Sequence, residues 1–110
     1  HLSSAASDVY KRQIDTGGTI AAASRALIER GAKSVSVAAT HGIFSDESVE
    51  KLKDTPIEEI VVTDTLKQNG NIEKIGNVNI LSVSSIIATA LTSIFADDSV
   101  SAIFMGENVL

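Results

Sequence analysis

Three short apolar runs, at positions 34–39, 59–63 and 78–81, are separated by longer stretches in which apolar residues recur with a helical period. This alternation constrains the chain more than any other feature. Runs of that length match single strands, and their near-continuous apolar character marks strands covered on both faces, the habit of parallel sheets. The intervening stretches supply the helices that return the chain to the start of the next strand. In the first, Ile20, Ala23 and Leu27 share a face with Ile28 beside them, and Gly31 ends the helix. In the second, Ser45 stands at the N-cap, Asp46 and Glu47 fill the first turn, and Val49 and Leu52 form the apolar stripe. Pro56 closes the connection, and residues 65–77, polar and containing Gly70 and Gly76, read as a loop. Ser84 or Ser85 caps a last helix with Ile86, Ile87, Ala90, Leu91 and Ile94 on its apolar face. Asp97-Asp98 ends it, and residues 99–104 make a short final element. The expected fold is α/β, a three-layer parallel sheet with helices on both faces.

The start of the chain does not join this pattern. Residues 1–13 show neither a helical nor a strand period, and the string from Ser7 to Gln13 reads as non-native sequence or a disordered start. The domain is therefore expected over residues 14–110. A turn that opens a helix in such a sheet normally follows a strand. Ile14 is all that the pattern leaves of one, so the sheet is expected to be truncated at its first strand.

Composition removes several function classes. The absence of cysteine excludes disulfides, thiolate catalysis and Cys-based zinc sites, and it fits a reducing, cytoplasmic setting. The net charge of −5, without a basic patch, argues against nucleic acid as a partner. No apolar run approaches a membrane span, and the first residues do not read as a secretory signal. With aromatics at 4%, the core must be built from Ala, Val, Ile and Leu.

The chemistry-bearing stretch is Ile14-Asp15-Thr16-Gly17-Gly18-Thr19-Ile20. Two glycines at the opening of a helix let successive backbone N–H groups converge on an anion, and the helix dipole and Thr hydroxyls add to the attraction. The stretch lacks the Lys-Ser/Thr of a Walker A loop and the spacing of a dinucleotide fingerprint. By itself it is compatible with a phosphate site and equally with a plain tight turn. His41, a lone histidine after a buried strand, reads as structural, and no metal ligand set is visible.

The neighbouring motifs sharpen this. Residues 14–20 resemble the sugar-phosphate loop of the ribose-phosphate pyrophosphokinases, also called phosphoribosyl pyrophosphate synthetases. Arg30-Gly31-Ala32-Lys33, Thr40-His41-Gly42-Ile43-Phe44-Ser45, Thr63-Asp64-Thr65 and the segment from Asp98 to Phe104 are similar to further motifs of that family, in the same order. The resemblance covers residues 14–105. It implies a type I phosphoribosyltransferase-like domain at the C-terminal end of an enzyme of nucleotide biosynthesis. That enzyme transfers the β,γ-diphosphoryl group of ATP to the 1-hydroxyl of ribose 5-phosphate, with Mg²⁺ held mostly outside this region. It implies that Asp15, Thr16, Gly17, Gly18 and Thr19 hold the 5-phosphate. It also implies that Ser99, Ser101 and Phe104 belong to a regulatory phosphate or ADP site at a subunit boundary. The whole enzyme is expected to form a hexamer-type homo-oligomer.

Departures from the family pattern matter too. The family's Asp-Asp pair, which accepts hydrogen bonds from the ribose hydroxyls, is replaced by Lys11 and Arg12, which only donate. Residues 65–77 lack the family's Pro-containing loop. The N-terminal half, with the ATP pocket, is outside the resemblance, so the chain alone is expected to turn over no substrate. Two rival readings remain: a phosphoribosyltransferase of nucleotide salvage, and a non-catalytic regulatory homologue of the synthetase.

Overall fold

A computed structural model describes residues 7–96, with side chains from Val9 onward. Eight elements follow one another: β1 (Ser7–Ile14), α1 (Gly18–Glu29), β2 (Val35–Gly42), α2 (Asp46–Lys53), β3 (Ile57–Thr63), α3 (Asn71–Ile75), β4 (Val78–Leu81) and α4 (Ser84–Phe95). The four strands form one parallel sheet in the order β1-β2-β3-β4. The α/β parallel-sheet class is therefore as expected.

Three local differences have physical explanations. The expected loss of the first strand is corrected. Ser7–Ile14 is a strand that pairs with β2 from Ser7 opposite Val35 to Ile14 opposite Gly42. Main-chain pairing needs no apolar alternation, so a mixed sequence such as Tyr10-Lys11-Arg12-Gln13 takes a strand at the sheet edge once β2 offers a template. Within 65–77, read as loop throughout, Asn71–Ile75 forms the short helix α3. Its apolar side chains Ile72 and Ile75 reach the core cluster, and five residues are too few to reveal a helical period. The start of α4 also differs: Val83 is the N-cap, with Ser84 the first helical residue.

The core sits between the sheet and α1–α3. Val35, Val37 and Ala39 of β2 and Ile60 and Val62 of β3 are buried against Ile20 and Ala21 of α1, Leu52 of α2 and Ile75 of α3. Each of the Val, Ile and Leu side chains among them contributes roughly 1.5–3 kcal/mol relative to exposure. Because each strand neighbours the one before it, right-handed crossovers place α1, α2 and α3 on one face. Contacts of α1 with α2, and of α2 with α3, agree.

The second helical layer of the expected three is not supplied by the described residues. The stripe of α4 does exist, but Ile87, Leu91 and Ile94 are exposed and no residue of the helix is buried. The expected ending at Asp97-Asp98 and the element at 99–104 lie outside the described residues.

Candidate phosphate-binding loop

A pocket of about 170 Å³ opens at the C-terminal end of β1, lined by Lys11 and every residue from Gln13 to Ile20. The C-terminal edge of a parallel sheet is where such folds bind ligands. The volume is below the roughly 300 Å³ at which sites for drug-sized ligands begin, and suits a small anionic group. All five residues of the expected site, Asp15, Thr16, Gly17, Gly18 and Thr19, line it.

The loop's shape follows from its glycines. Gly17 is the N-cap of α1 with φ 82°, in the left-handed region that a side chain disfavours. A Cβ there would also lie 2.7 Å from Leu52 Cγ. No side chain caps α1, and its first intrahelical bond runs from Ala21 N–H to the Gly17 carbonyl, 2.9 Å. The amides of Gly18, Thr19 and Ile20 thus lack intrahelical acceptors, at the positive end of the helix dipole. An anion in the pocket would meet these amide donors directly.

The Thr40-to-Ser45 motif fixes this loop through the main chain. Ile43 N–H and Phe44 N–H both donate to the Ile14 carbonyl, at 2.8 and 3.2 Å. Ser45 N–H donates to the Asp15 carbonyl at 3.1 Å. The Ser45 hydroxyl donates to the same carbonyl at 3.2 Å, so Ser45 occupies the N-cap of α2 without capping it through its side chain. Phe44 anchors the clamp: it is fully buried and holds φ 49°. A non-glycine residue keeps that conformation only when its surroundings determine it. Gly42 makes room for the ring, since a Cβ there would meet Phe44 Cε2 at 2.5 Å.

Residues that the sequence left unassigned complete the support. The buried Asn71 amide donates to the Phe44 carbonyl at 2.8 Å and to Asp46 Oδ1 at 3.0 Å. Asn69 donates to the same Phe44 carbonyl at 3.2 Å, and Gln68 to the Gly42 carbonyl at 2.9 Å. A polar segment with no period gave no signal of this role. Lys11, read as unable to serve the ribose hydroxyls, lines the pocket.

Other candidates lie elsewhere. His41 Nδ1 is 2.7 Å from Thr65 Oγ1 and is not part of the pocket lining. Asp64 accepts from Val83 N–H at 3.0 Å, and that bond, with one from the Ser82 hydroxyl, holds its carboxyl below the ordinary value of 3.8. Ser99, Ser101 and Phe104 lie outside the described residues. Among the described residues no three His, Asp or Glu side chains are grouped to hold a metal ion, and Asp15 is the single carboxylate in the pocket lining. Among the described residues the pocket lining thus offers a cation such as Mg²⁺ one carboxylate, that of Asp15. No described helix is long and apolar enough to cross a membrane.

Comparisons with known proteins place the chain in a family. The family described as "Phosphoribosyl synthetase-associated domain" matches residues 8–105. The ribose-phosphate pyrophosphokinase of Buchnera aphidicola is 46% identical over 91 residues, covering 83% of this chain and 29% of the relative. That of Corynebacterium glutamicum is 46% identical over 94 residues, covering 86% and 28%. The crystal structure of phosphoribosylpyrophosphate synthetase from Mycobacterium smegmatis superposes with a TM-score of 0.76 at 35% identity, covering 84% of this chain and 30% of that one. The chain thus spans less than a third of the length of these relatives. With a family match that runs through β1, the Thr-Gly-Gly-Thr loop and its clamp, this chain belongs to the phosphoribosyl synthetase-associated domain family.

Proposed function

We propose that the chain supplies the sugar-phosphate half of a ribose-phosphate diphosphokinase site. The carrying observation is the pocket built by consecutive residues Gln13 to Ile20 around a left-handed Gly17 at an uncapped helix start. Asp15, Thr16, Gly17, Gly18 and Thr19 hold the 5-phosphate of ribose 5-phosphate through amides and hydroxyls. That end of the sugar is remote from the reacting 1-hydroxyl, so fixing it orients the attack on the β-phosphorus of ATP. Mg²⁺, when bound in the parent enzyme, would supply charge neutralisation at the phosphates, with ligands mostly outside this chain. We read the domain as taking in β1, which pairs with β2 along its length, rather than as starting at residue 14. Ser99, Ser101 and Phe104 belong to a regulatory phosphate or ADP site. The parent is a cytoplasmic hexamer-type homo-oligomer, and this chain alone turns over no substrate.

One observation favours a second reading. Lys11 lines the pocket where the family carries an acidic ribose-binding residue, which suits a phosphate-sensing, non-catalytic homologue. Titrating the chain with ribose 5-phosphate, ribose and inorganic phosphate, while following the amides of residues 15–20, separates the readings. Preference for ribose 5-phosphate over inorganic phosphate supports the substrate site; equal binding supports the sensor. No response to either phosphate compound refutes both. A coupled assay detecting phosphoribosyl pyrophosphate made by the chain alone would refute its inactivity.

A further inference from the structure

The helix that packs under the loop also delivers a cation to it. Leu52 of α2 is 2% exposed and seats on Gly17, with three of its carbons within 3.0 Å of the point a Cβ would occupy. That seating fixes how α2 lies along the loop and brings the preceding residue over Gly18. Lys51 Nζ is 3.5 Å, and Thr16 Oγ1 3.9 Å, from the point where a Cβ on Gly18 would lie. An ammonium and a hydroxyl thus flank the space that the second glycine leaves open. Lys51 is held there by Glu47, one helical turn earlier, at 2.9 Å. Both side chains are substantially solvated, 42% and 59% exposed, so this ion pair is weak and exchangeable.

From this geometry we propose that Lys51 is a phosphate-binding residue of the site, exchanging Glu47 for the 5-phosphate when ligand arrives. The inference rests on the reading of residues 15–19 as a phosphate loop. Lysine suits the role as a point charge on a long flexible stem, which needs no fixed fork geometry. Its approach also gives Gly18 a task. A side chain at Gly18 would stand between the ammonium, the Thr16 hydroxyl and the bound anion.

The test uses the full chain titrated with ribose 5-phosphate and, separately, with inorganic phosphate. Lys51→Met is expected to weaken both about tenfold and to reduce the salt dependence of binding, the loss of one charge-assisted contact at a solvated edge. Lys51→Arg retains binding within about threefold, and Glu47→Gln tightens it about twofold by freeing the ammonium. Unchanged binding by Lys51→Met overturns the inference while leaving the loop reading intact. No saturable response of the Thr16 to Thr19 amides in the parent chain overturns the loop reading and this inference together. In the parent chain the Lys51 side-chain resonances shift on saturation with ribose 5-phosphate. If they stay fixed while the loop amides respond, Lys51 is excluded whether or not its variants fold.

Discussion

Leu52 Cγ lies 2.7 Å from the position a Cβ on Gly17 would take, so the buried anchor of α2 and the turn that opens α1 share one space. The ligand loop and the hydrophobic core are joined at this point. Gly17→Ala is expected to destabilise the fold by about 2–4 kcal/mol, combining left-handed strain with overpacking. Urea unfolding midpoints measure it. In a Gly17→Ala/Leu52→Ala double variant, the combined cost is expected to fall below the sum of the single costs, because truncating Leu52 removes the overlap. Strict additivity would show that the two residues do not compete for space.

Asn71 tests the support of the loop from the far side. Its amide serves the Phe44 carbonyl and the Asp46 carboxylate. Asn71→Ala is expected to cost about 1–3 kcal/mol of stability. It should also weaken ribose 5-phosphate binding, although Asn71 does not line the pocket. Calorimetric titration of the variant, with its fold checked by amide spectra, reads both effects. Unaltered affinity would separate the Phe44 clamp from the site.

Asp15 is the single carboxylate in the pocket lining, and it opposes any anion placed there. Asp15→Asn is expected to tighten inorganic phosphate about two- to fivefold while preserving the backbone of the loop. The gain should shrink as salt rises. Weaker phosphate binding in the variant would mean that Asp15 orders the donors more than it repels the ligand.

Asp64 gives the fold a defined acid response. Val83 N–H, at the start of α4, donates to its carboxylate and, with the Ser82 hydroxyl, lowers its pKa from the ordinary value of 3.8. A depressed folded-state pKa contributes stability above the unfolded value, and that contribution is lost as pH falls through the folded value. The Val83 amide resonance should therefore titrate with a midpoint below 3.8, and Asp64→Asn should abolish the transition. A midpoint at or above 3.8 would show that the bond does not favour the ionised form.

The apolar stripe of α4 is exposed along Ile87, Leu91 and Ile94. Leu91→Lys and Ile94→Lys are expected to shift the unfolding free energy by less than about 0.5 kcal/mol and to reduce self-association. Light scattering and urea unfolding read the two effects. A large loss of stability would show that these side chains are buried in solution.

The sequence by itself determined the parallel α/β class and the placement of three strands. Runs such as Val35–Val37 and Ile60–Val62 can only be satisfied by burial, and burial is a local requirement that composition and period display. It also pointed to the loop, because Gly17 at a helix start supplies a left-handed backbone directly. Tertiary structure decided what depends on partners. β1 took a strand because β2 offered its edge. α3 formed because Ile72 and Ile75 found the core. Phe44 holds a left-handed backbone because its ring fills the space beside Gly42. Lys51 came to the loop because Leu52, its neighbour in the chain, needed Gly17 as its seat. Local preference cannot announce such contacts, since the free energy that selects them is released only when distant segments meet.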